Sequence, residues 1–356
     1  MKQRIIFPTS VSSLSSLNRW LKGNRYKDAR FFILVDENSY ANCLPELVSH
    51  CSVLQDAEFF EVPVSENAKT LEVAYQLWAA LLESGADRNS VIINLGGGCV
   101  SDVGGFVAAG FKRGIRYVNI PTTLVGMIDA AIGGKTAINI ENTKNQVGFI
   151  HHPDAICINP AFLDTLPEFE MVSGLFEMAK TLILCDTEAY KRLLSSLDES
   201  RGVPIDTIKQ MVRQCVDFKS AVTISDPQDR SVRKILNFGH TFGHAIESFM
   251  KESGTPLSHG AAVGIGMKCE LYLSAKKLGM SEKITESFSN LLTRFVAVPK
   301  FSLKDAERIL SYMQQDKKNR DNLILCVLLQ DIGVPVIDVA INENEVRDTL
   351  LLVGKG

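Results

Sequence analysis

The stretch "SVIINLGGGCVSDVGGFVAAG" limits the possible folds more than any other part of the chain. An uninterrupted apolar run leads into three glycines, and the run beyond them has the texture of a helix. A run without polar alternation fits a strand buried on both faces, which requires helices on either side of its sheet. "RFFILVD" and "YVNIPTT" are runs of the same kind, and "EVAYQLWAALLESGA" between the first two reads as an amphipathic helix ending near Gly85. Strand, helix and strand in this order imply right-handed crossovers and a parallel sheet. From about residue 160 the texture changes to long helical periodicities, as in "PEFEMVSGLFEMAKTLILC", "DTIKQMVRQCVDFKSAVTISD" and "AAVGIGMKCELYLSAKKLG". The expected fold is an α/β N-terminal domain with a parallel, Rossmann-like sheet, residues 1–160, and a mostly α-helical C-terminal domain, residues 161–356. The active site is expected in the cleft between them.

Composition excludes several classes. With 38 Lys and Arg against 41 Asp and Glu, the net charge of −3 lacks the basic excess of a nucleic-acid footprint. No apolar run approaches the ~20 residues of a membrane span. The eight cysteines are scattered without a CxxC pair, and the start, "MKQRIIFPTS", carries no signal peptide. Reduced thiols in a cytoplasmic protein are therefore expected, and a cysteine-type zinc site is not.

The glycine-rich turn lets a backbone approach a ligand closely, and the helix that follows offers its N–H groups to a phosphate. It is not the GxGxxG fingerprint. Asp36, at the end of "FILVD", suits ribose hydroxyls, although an Asp after a strand is also ordinary turn chemistry. Together the two features favour a dinucleotide. "IPTTLVGMIDAAIGGKTAINIENTKNQVGF" gathers Asp129, Lys135, Lys144 and Asn145 among small residues. Its "GGKT" fails the P-loop spacing, because no glycine lies five residues before Gly134.

In "SGLFEMAK", Glu177 and Lys180 share a helix face. In "LNFGHTFGHAIE", His240 and His244 are one turn apart, a spacing like HExxH but with Thr241 in place of the glutamate. His259 follows after a short link. Two imidazoles and one carboxylate form a common catalytic zinc set, with Glu177 as the carboxylate candidate. Helical histidines satisfied by hydrogen bonds are the alternative.

The motifs "GGGCVSDVGGFVAA", "FKRGIRYVNIPTTL", "DAAIGGKTAIN", "KNQVG", "GLFEMAK", "LNFGHTFGHAIE" and "SHGAAVGIGM", in this order, closely resemble 3-dehydroquinate synthases over roughly residues 30 to 330. The resemblance implies a lyase of the shikimate route to chorismate and the aromatic amino acids. It would convert 3-deoxy-D-arabino-heptulosonate 7-phosphate to 3-dehydroquinate and phosphate by transient NAD oxidation, phosphate elimination, re-reduction and intramolecular aldol closure. NAD and a divalent metal, Zn2+ or Co2+, are the implied cofactors, a phosphorylated sugar acid the substrate, and a homodimer the assembly.

Carried over by position, the metal ligands are Glu177, His240 and His259, and His244 faces the substrate near its phosphate. Asp129, Lys135, Lys180, Lys219, Arg233 and Asn237 join His244 as catalytic positions, and Asn145 binds substrate. Arg113 reaches the phosphate from the neighbouring subunit, and one of Lys317 and Lys318 adds a further phosphate contact. NAD falls to Asp36, Asn38, Glu66, Lys69, Gly97, Gly98, Asp102, Thr122, Thr123, Lys144, Thr165, Leu166 and Glu170. Ser101, Ala130 and Ala261 depart from the family's usual glycine, serine and glutamate, none of them at a ligand position. Alternatives are another sugar-phosphate cyclase, acting on sedoheptulose 7-phosphate or glucose 6-phosphate, a metal- and NAD-dependent polyol dehydrogenase, or an inactive scaffold protein. The set Lys219, Arg233 and Asn237 suits a substrate carboxylate, which the rival cyclases' substrates lack.

Overall fold

The apolar runs become strands of one parallel sheet. The computed structural model describes residues 4–7, 13–141, 143–197, 203–314 and 323–354. Lys317 and Lys318 lie outside the described residues. The chain divides into two compact units, Met1–Pro167 and Glu168–Gly356.

The first unit contains strands β1 (Arg4–Ile6), β2 (Phe31–Asp36), β3 (Glu58–Val62), β4 (Val91–Gly96), β5 (Arg116–Pro121), β6 (Lys135–Ile140), β7 (Thr143–Ile150) and β8 (Ala155–Cys157). Its helices are α1 (Ser13–Leu21), α2 (Glu37–Asn42), α3 (Leu44–His50), α4 (Leu71–Glu83) and α5 (Gly98–Gly110). Six strands form the parallel sheet in the order β1-β8-β5-β4-β2-β3, while β6 and β7 pair antiparallel as a separate hairpin. All six residues of β4 are buried, as its unbroken apolar run requires. One polar residue interrupts that interior. Asn94 on β4 donates to Asn119 Oδ1 on β5 at 2.8 Å, and Asn119 donates to the Ala131 carbonyl at 3.3 Å. This buried chain of amides ties the sheet to the turn Gly126–Ala130, which carries Asp129.

The second unit contains helices α6 (Glu168–Cys185), α7 (Thr187–Ser195), α8 (Ile205–Ser225), α9 (His240–Glu252), α10 (His259–Leu278), α11 (Glu282–Phe295), α12 (Leu303–Gln314) and α13 (Glu343–Val353). Helices α6, α9, α11 and α13 pack on α10, whose interior from Gly260 to Leu271 is buried without interruption. The mostly helical reading holds, with one addition: β9 (Ile324–Asp331) and β10 (Val334–Ile341) form an antiparallel hairpin. Thr241 of α9 donates to the Leu325 carbonyl on β9 at 3.2 Å, and the Gly333 amide at the hairpin turn donates to the Ile183 carbonyl of α6 at 2.8 Å.

Helix α5 lies so close to the sheet that a Cβ on Gly104 would stand 1.9 Å from Asn94 Oδ1. Gly104→Ala should therefore destabilise the protein by about 1–3 kcal/mol, the usual range for overpacking a filled core. Urea unfolding checks this, and an unchanged midpoint would show that the contact relaxes freely.

Candidate active site

The chemistry of the second unit centres on a carboxylate in the middle of α6. Glu177 and Lys180, one turn apart, are each only 1 % exposed. Lys180 Nζ lies 2.6 Å from Glu177 Oε2. That contact is an ion pair rather than an aligned hydrogen bond, and among the described residues no hydrogen bond of good geometry reaches either buried Glu177 oxygen. On the other side of the carboxylate, His240 Nε2 stands 3.6 Å and His259 Nε2 3.4 Å from Oε1.

Local structure fixes both rings. Gly239 takes φ +79°, a left-handed conformation open to glycine, and its amide donates to the buried Glu270 Oε2 at 2.6 Å. This bend starts α9 with His240 facing inward, its Nδ1 3.1 Å from the Phe238 carbonyl. A carbonyl only accepts, so Nδ1 holds the proton and Nε2 presents its lone pair toward Glu177. His259 opens α10, where Ser258 caps the helix by accepting from the Ala261 amide. Its Nδ1 meets Glu247 Oε2 at 3.1 Å.

Electrostatics follow from this packing. Burial by itself would raise the Glu177 pKa, but the Lys180 ammonium with His240 and His259 holds it well below the usual carboxylate range. Burial, then Lys180, pushes His240 well below the usual imidazole value, so this ring is neutral. Burial works against charge on His259 as well, yet the Glu177 and Glu247 carboxylates facing its two nitrogens outweigh that and push it up to about 10.

The donor set fits a divalent cation. A neutral imidazole lone pair faces a buried carboxylate oxygen, and the nitrogens on the far side of both rings are held by oxygen acceptors, as around metal-bound histidines. His244 belongs to the same cluster: the ligand atoms of His240, His244 and His259 all lie within 4.8 Å of one another. The rings' centroids are 5.2 to 5.7 Å apart. Distance alone therefore does not separate His244 from the other two.

Arg233 and Asn237 sit on the turn Val232–Asn237 that leads into α9, and Lys219 is buried on α8, which packs on that turn. Asp226 shapes the turn by accepting from the amides of Arg230, Ser231 and Arg233 at 3.1, 2.7 and 3.1 Å.

The first unit brings most of the expected dinucleotide positions together. Gly97 caps α5 without any side-chain hydrogen bond, leaving the N–H groups of its first turn for an anion. Beside it, Thr122 donates its amide to Gly96, and Thr123 Oγ1 accepts from the Gly126 amide at 3.0 Å. Lys69, 3 % exposed, donates to Asp102 at 2.6 Å and to Asn145 at 2.5 Å. Glu66 accepts from Asn139 at 2.7 Å and has Lys144 at 3.6 Å. Burial opposes the charge on Lys69, but Asp102 overcomes it and raises the pKa. Asp36 uses Oδ1 to cap α2, accepting from Ser39, so the turn chemistry is realised there. Asn38 lies in the same short helix. Lys135 is exposed at the start of β6, and Asp129 is half-buried in its turn. Thr165 donates to the Phe162 carbonyl, Leu166 follows it, and Glu170 lies in the first turn of α6.

Three residues escaped the sequence reading. Glu247 lies seven positions after His240 on one helical stripe, but that spacing alone does not mark it out from other acidic residues of α9. Asp226 and Asn139 act through backbone and network contacts that no motif announces.

Residues 59–173 match the model of the 3-dehydroquinate synthase N-terminal family, and residues 174–319 that of the C-terminal family. A 3-dehydroquinate synthase of Parabacteroides distasonis is 36% identical over 337 residues, 95% of this chain and 93% of the relative. The chain belongs to the 3-dehydroquinate synthase family. Among solved structures, 2-epi-5-epi-valiolone synthase from Streptomyces hygroscopicus, with NAD+ and Zn2+ bound, superposes with a TM-score of 0.83 at 25% identity, over 100% of this chain and 97% of that one. A 2-deoxy-scyllo-inosose synthase, complexed with carbaglucose-6-phosphate, NAD+ and Co2+, gives 0.83 at 22%, over 98% and 96% of the two chains. The 3-dehydroquinate synthase profiles meet inside α6, at the turn just before Glu177.

Asp226 yields a pH prediction. Burial would raise its pKa, but the three amide donors outweigh this and bring it from 3.8 to about 2. A carboxyl depressed on folding adds stability that is present above its unfolded pKa and lost as pH falls through the folded one. Asp226→Asn should lower the melting temperature at pH 7 and flatten its decline between pH 4 and pH 2. Parallel melting curves for the two proteins over that window would refute the assignment.

Proposed function

We propose that the chain catalyses conversion of 3-deoxy-D-arabino-heptulosonate 7-phosphate to 3-dehydroquinate and phosphate, using NAD and one divalent cation, zinc or cobalt. What carries the reading is the convergence of Glu177, His240 and His259 from three separate helices on one buried point, in a chain of this family. NAD+ with Zn2+ or Co2+ in the two structural neighbours supports the cofactors, and the bound carbaglucose-6-phosphate supports a phosphorylated sugar as substrate class.

When bound, NAD supplies reversible oxidation and the cation supplies Lewis acidity at substrate hydroxyls. The chain's own groups do the rest. Glu177, His240 and His259 are assigned to the cation. Lys180, Lys219, Arg233 and Asn237 bind and orient a substrate bearing a carboxylate, because ammonium and guanidinium groups on one packed set of elements suit that anion. His244 is assigned to the phosphate side, with Asp129, Lys135 and Asn145 completing the contacts to substrate. Asp36, Asn38, Glu66, Lys69, Gly97, Gly98, Asp102, Thr122, Thr123, Lys144, Thr165, Leu166 and Glu170 are assigned to NAD.

The assembly is proposed to be a homodimer in which Arg113 serves the partner's phosphate. Lys112 and Arg113 both hold positive φ, 50° and 66°, ahead of Gly114 at 109°, a strained display suited to an exposed functional side chain. All eight residues of β7 are exposed, including Val147, Phe149 and Ile150, an apolar strand edge that a second copy would cover. A cytoplasmic location accords with eight free cysteines, and no helix among the described residues is long and apolar enough to cross a membrane.

Metal-loaded protein given the heptulosonate phosphate and catalytic NAD should release phosphate, form dehydroshikimate when coupled to a dehydroquinase, and accumulate no NADH. Absence of phosphate release would overturn the proposal, whereas net NADH formation with a polyol would favour a dehydrogenase. His240→Ala should lose the metal, while His244→Ala should keep it and lose about 10²-fold in rate, as for removal of one group aimed at developing charge. Equal metal loss in both would collapse the distinction between the two histidines.

Sharing across the dimer has its own test. Arg113→Ala and His240→Ala proteins, each inactive, should regain activity when mixed and allowed to exchange subunits, because one site of the hybrid is then complete. Persistent inactivity of a verified hybrid would show that Arg113 does not act across the interface.

A further inference from the structure

We propose that Glu247 is the positioning residue for His259, fixing that ring so that Nε2 is aimed at the metal site; the inference rests on the metal reading above. The two imidazoles that face Glu177 are not equally constrained. The His240 side chain is 12% exposed and held within its own chain segment by the Phe238 carbonyl. The His259 side chain is 37% exposed and opens its helix, with no preceding turn to pack against.

An imidazole in that setting keeps its rotamers unless another element supplies an acceptor. Glu247 supplies one from α9. It lies seven residues beyond His240, on the same stripe of the helix, and its side chain is 17% exposed. Oε2 at 3.1 Å from His259 Nδ1 fixes the far nitrogen, and the ring then points Nε2 to within 3.4 Å of Glu177 Oε1. One helix therefore provides both a candidate ligand, His240, and the acceptor that aims the other, so the geometry of the cluster depends on the packing of α9 on α10. A carboxylate behind a metal-bound imidazole also raises its basicity.

The test is zinc affinity at pH 8 by competition with a chromophoric chelator, on full-length Glu247→Ala, Glu247→Gln and His259→Ala. Thermal unfolding of the metal-free proteins serves as the folding control. The cobalt-substituted absorption spectrum gives a second readout independent of turnover. Glu247→Ala should weaken zinc binding by about 10–100-fold and alter the cobalt bands, with metal-free stability near that of the parent. Glu247→Gln, which still accepts through its amide oxygen, should fall between the two. Parental zinc affinity and cobalt bands in Glu247→Ala, with binding abolished in His259→Ala, would overturn the positioning role and leave the metal site standing. Parental affinity in His259→Ala would overturn both. If Glu247→Ala does not fold, Glu247→Gln decides: several-fold weaker binding supports the role, and parental affinity overturns it.

Discussion

A carboxylate buried in the middle of a helix is the constraint around which the second unit is arranged. Removing an ion from water costs several kcal/mol even after the protein relaxes, and a partner recovers this only with good geometry. Glu177 has Lys180 on one side, one turn away. On the other side are two imidazole nitrogens, one of them on a neutral ring with its lone pair turned inward. Two electron-rich atoms facing each other across 3.6 Å repel unless a cation or a proton stands between them. His259, with Glu177 and Glu247 facing its two nitrogens, is pushed toward its charged form and so offsets part of the Glu177 charge. On the metal reading proposed above, a divalent cation would satisfy all three groups at once.

That arrangement requires three distant stretches to meet to within a few tenths of an ångström. Glu177 is fixed by the buried middle of α6. His240 is fixed by the left-handed bend at Gly239, which Glu270 on α10 stabilises through the Gly239 amide. His259 is fixed by the Ser258 cap and by Glu247. Helix α10 thus takes part twice: its first residue enters the cluster, and its buried Glu270 sets the bend that starts α9. Displacing α10 would move two of the three groups together, which makes its buried, small-residue face a requirement of the site as well as of the core.

Much of this was readable in the chain. Continuous apolar runs identified β2, β4 and β5, because burial on both faces leaves no room for polar alternation. The ordered motifs identified the family, and helical spacing put Glu177 with Lys180 and His240 with His244 on common faces. Other features were not accessible to that reasoning. The β9–β10 hairpin sits in a helical half and alternates weakly, its strand faces being covered unevenly. Glu247 reads as one more acidic residue on an amphipathic helix until α10 brings His259 beside it. Asp36 shows the opposite difficulty: one carboxylate serves a helix cap in this fold, and the sequence cannot apportion its oxygens between cap and ribose. His244 stays close to the other two rings, so the separate role proposed for it rests on the family resemblance rather than on distance.

The two units also differ in how their buried charged groups are partnered. In the first, Lys69 is enclosed by Asp102 and Asn145, and Glu66 has Asn139 and Lys144 beside it, while the N-terminus of α5 carries no side-chain cap. In the second, a fully buried carboxylate lacks an aligned hydrogen bond at either oxygen. A ligand that binds only the folded state stabilises it according to its concentration and affinity. The same cation stabilises most where it relieves a buried charge. On the metal reading proposed above, a bound cation would therefore stabilise the helical unit. On that reading, the buried charge that suits the site to its chemistry would also make the fold more dependent on being loaded.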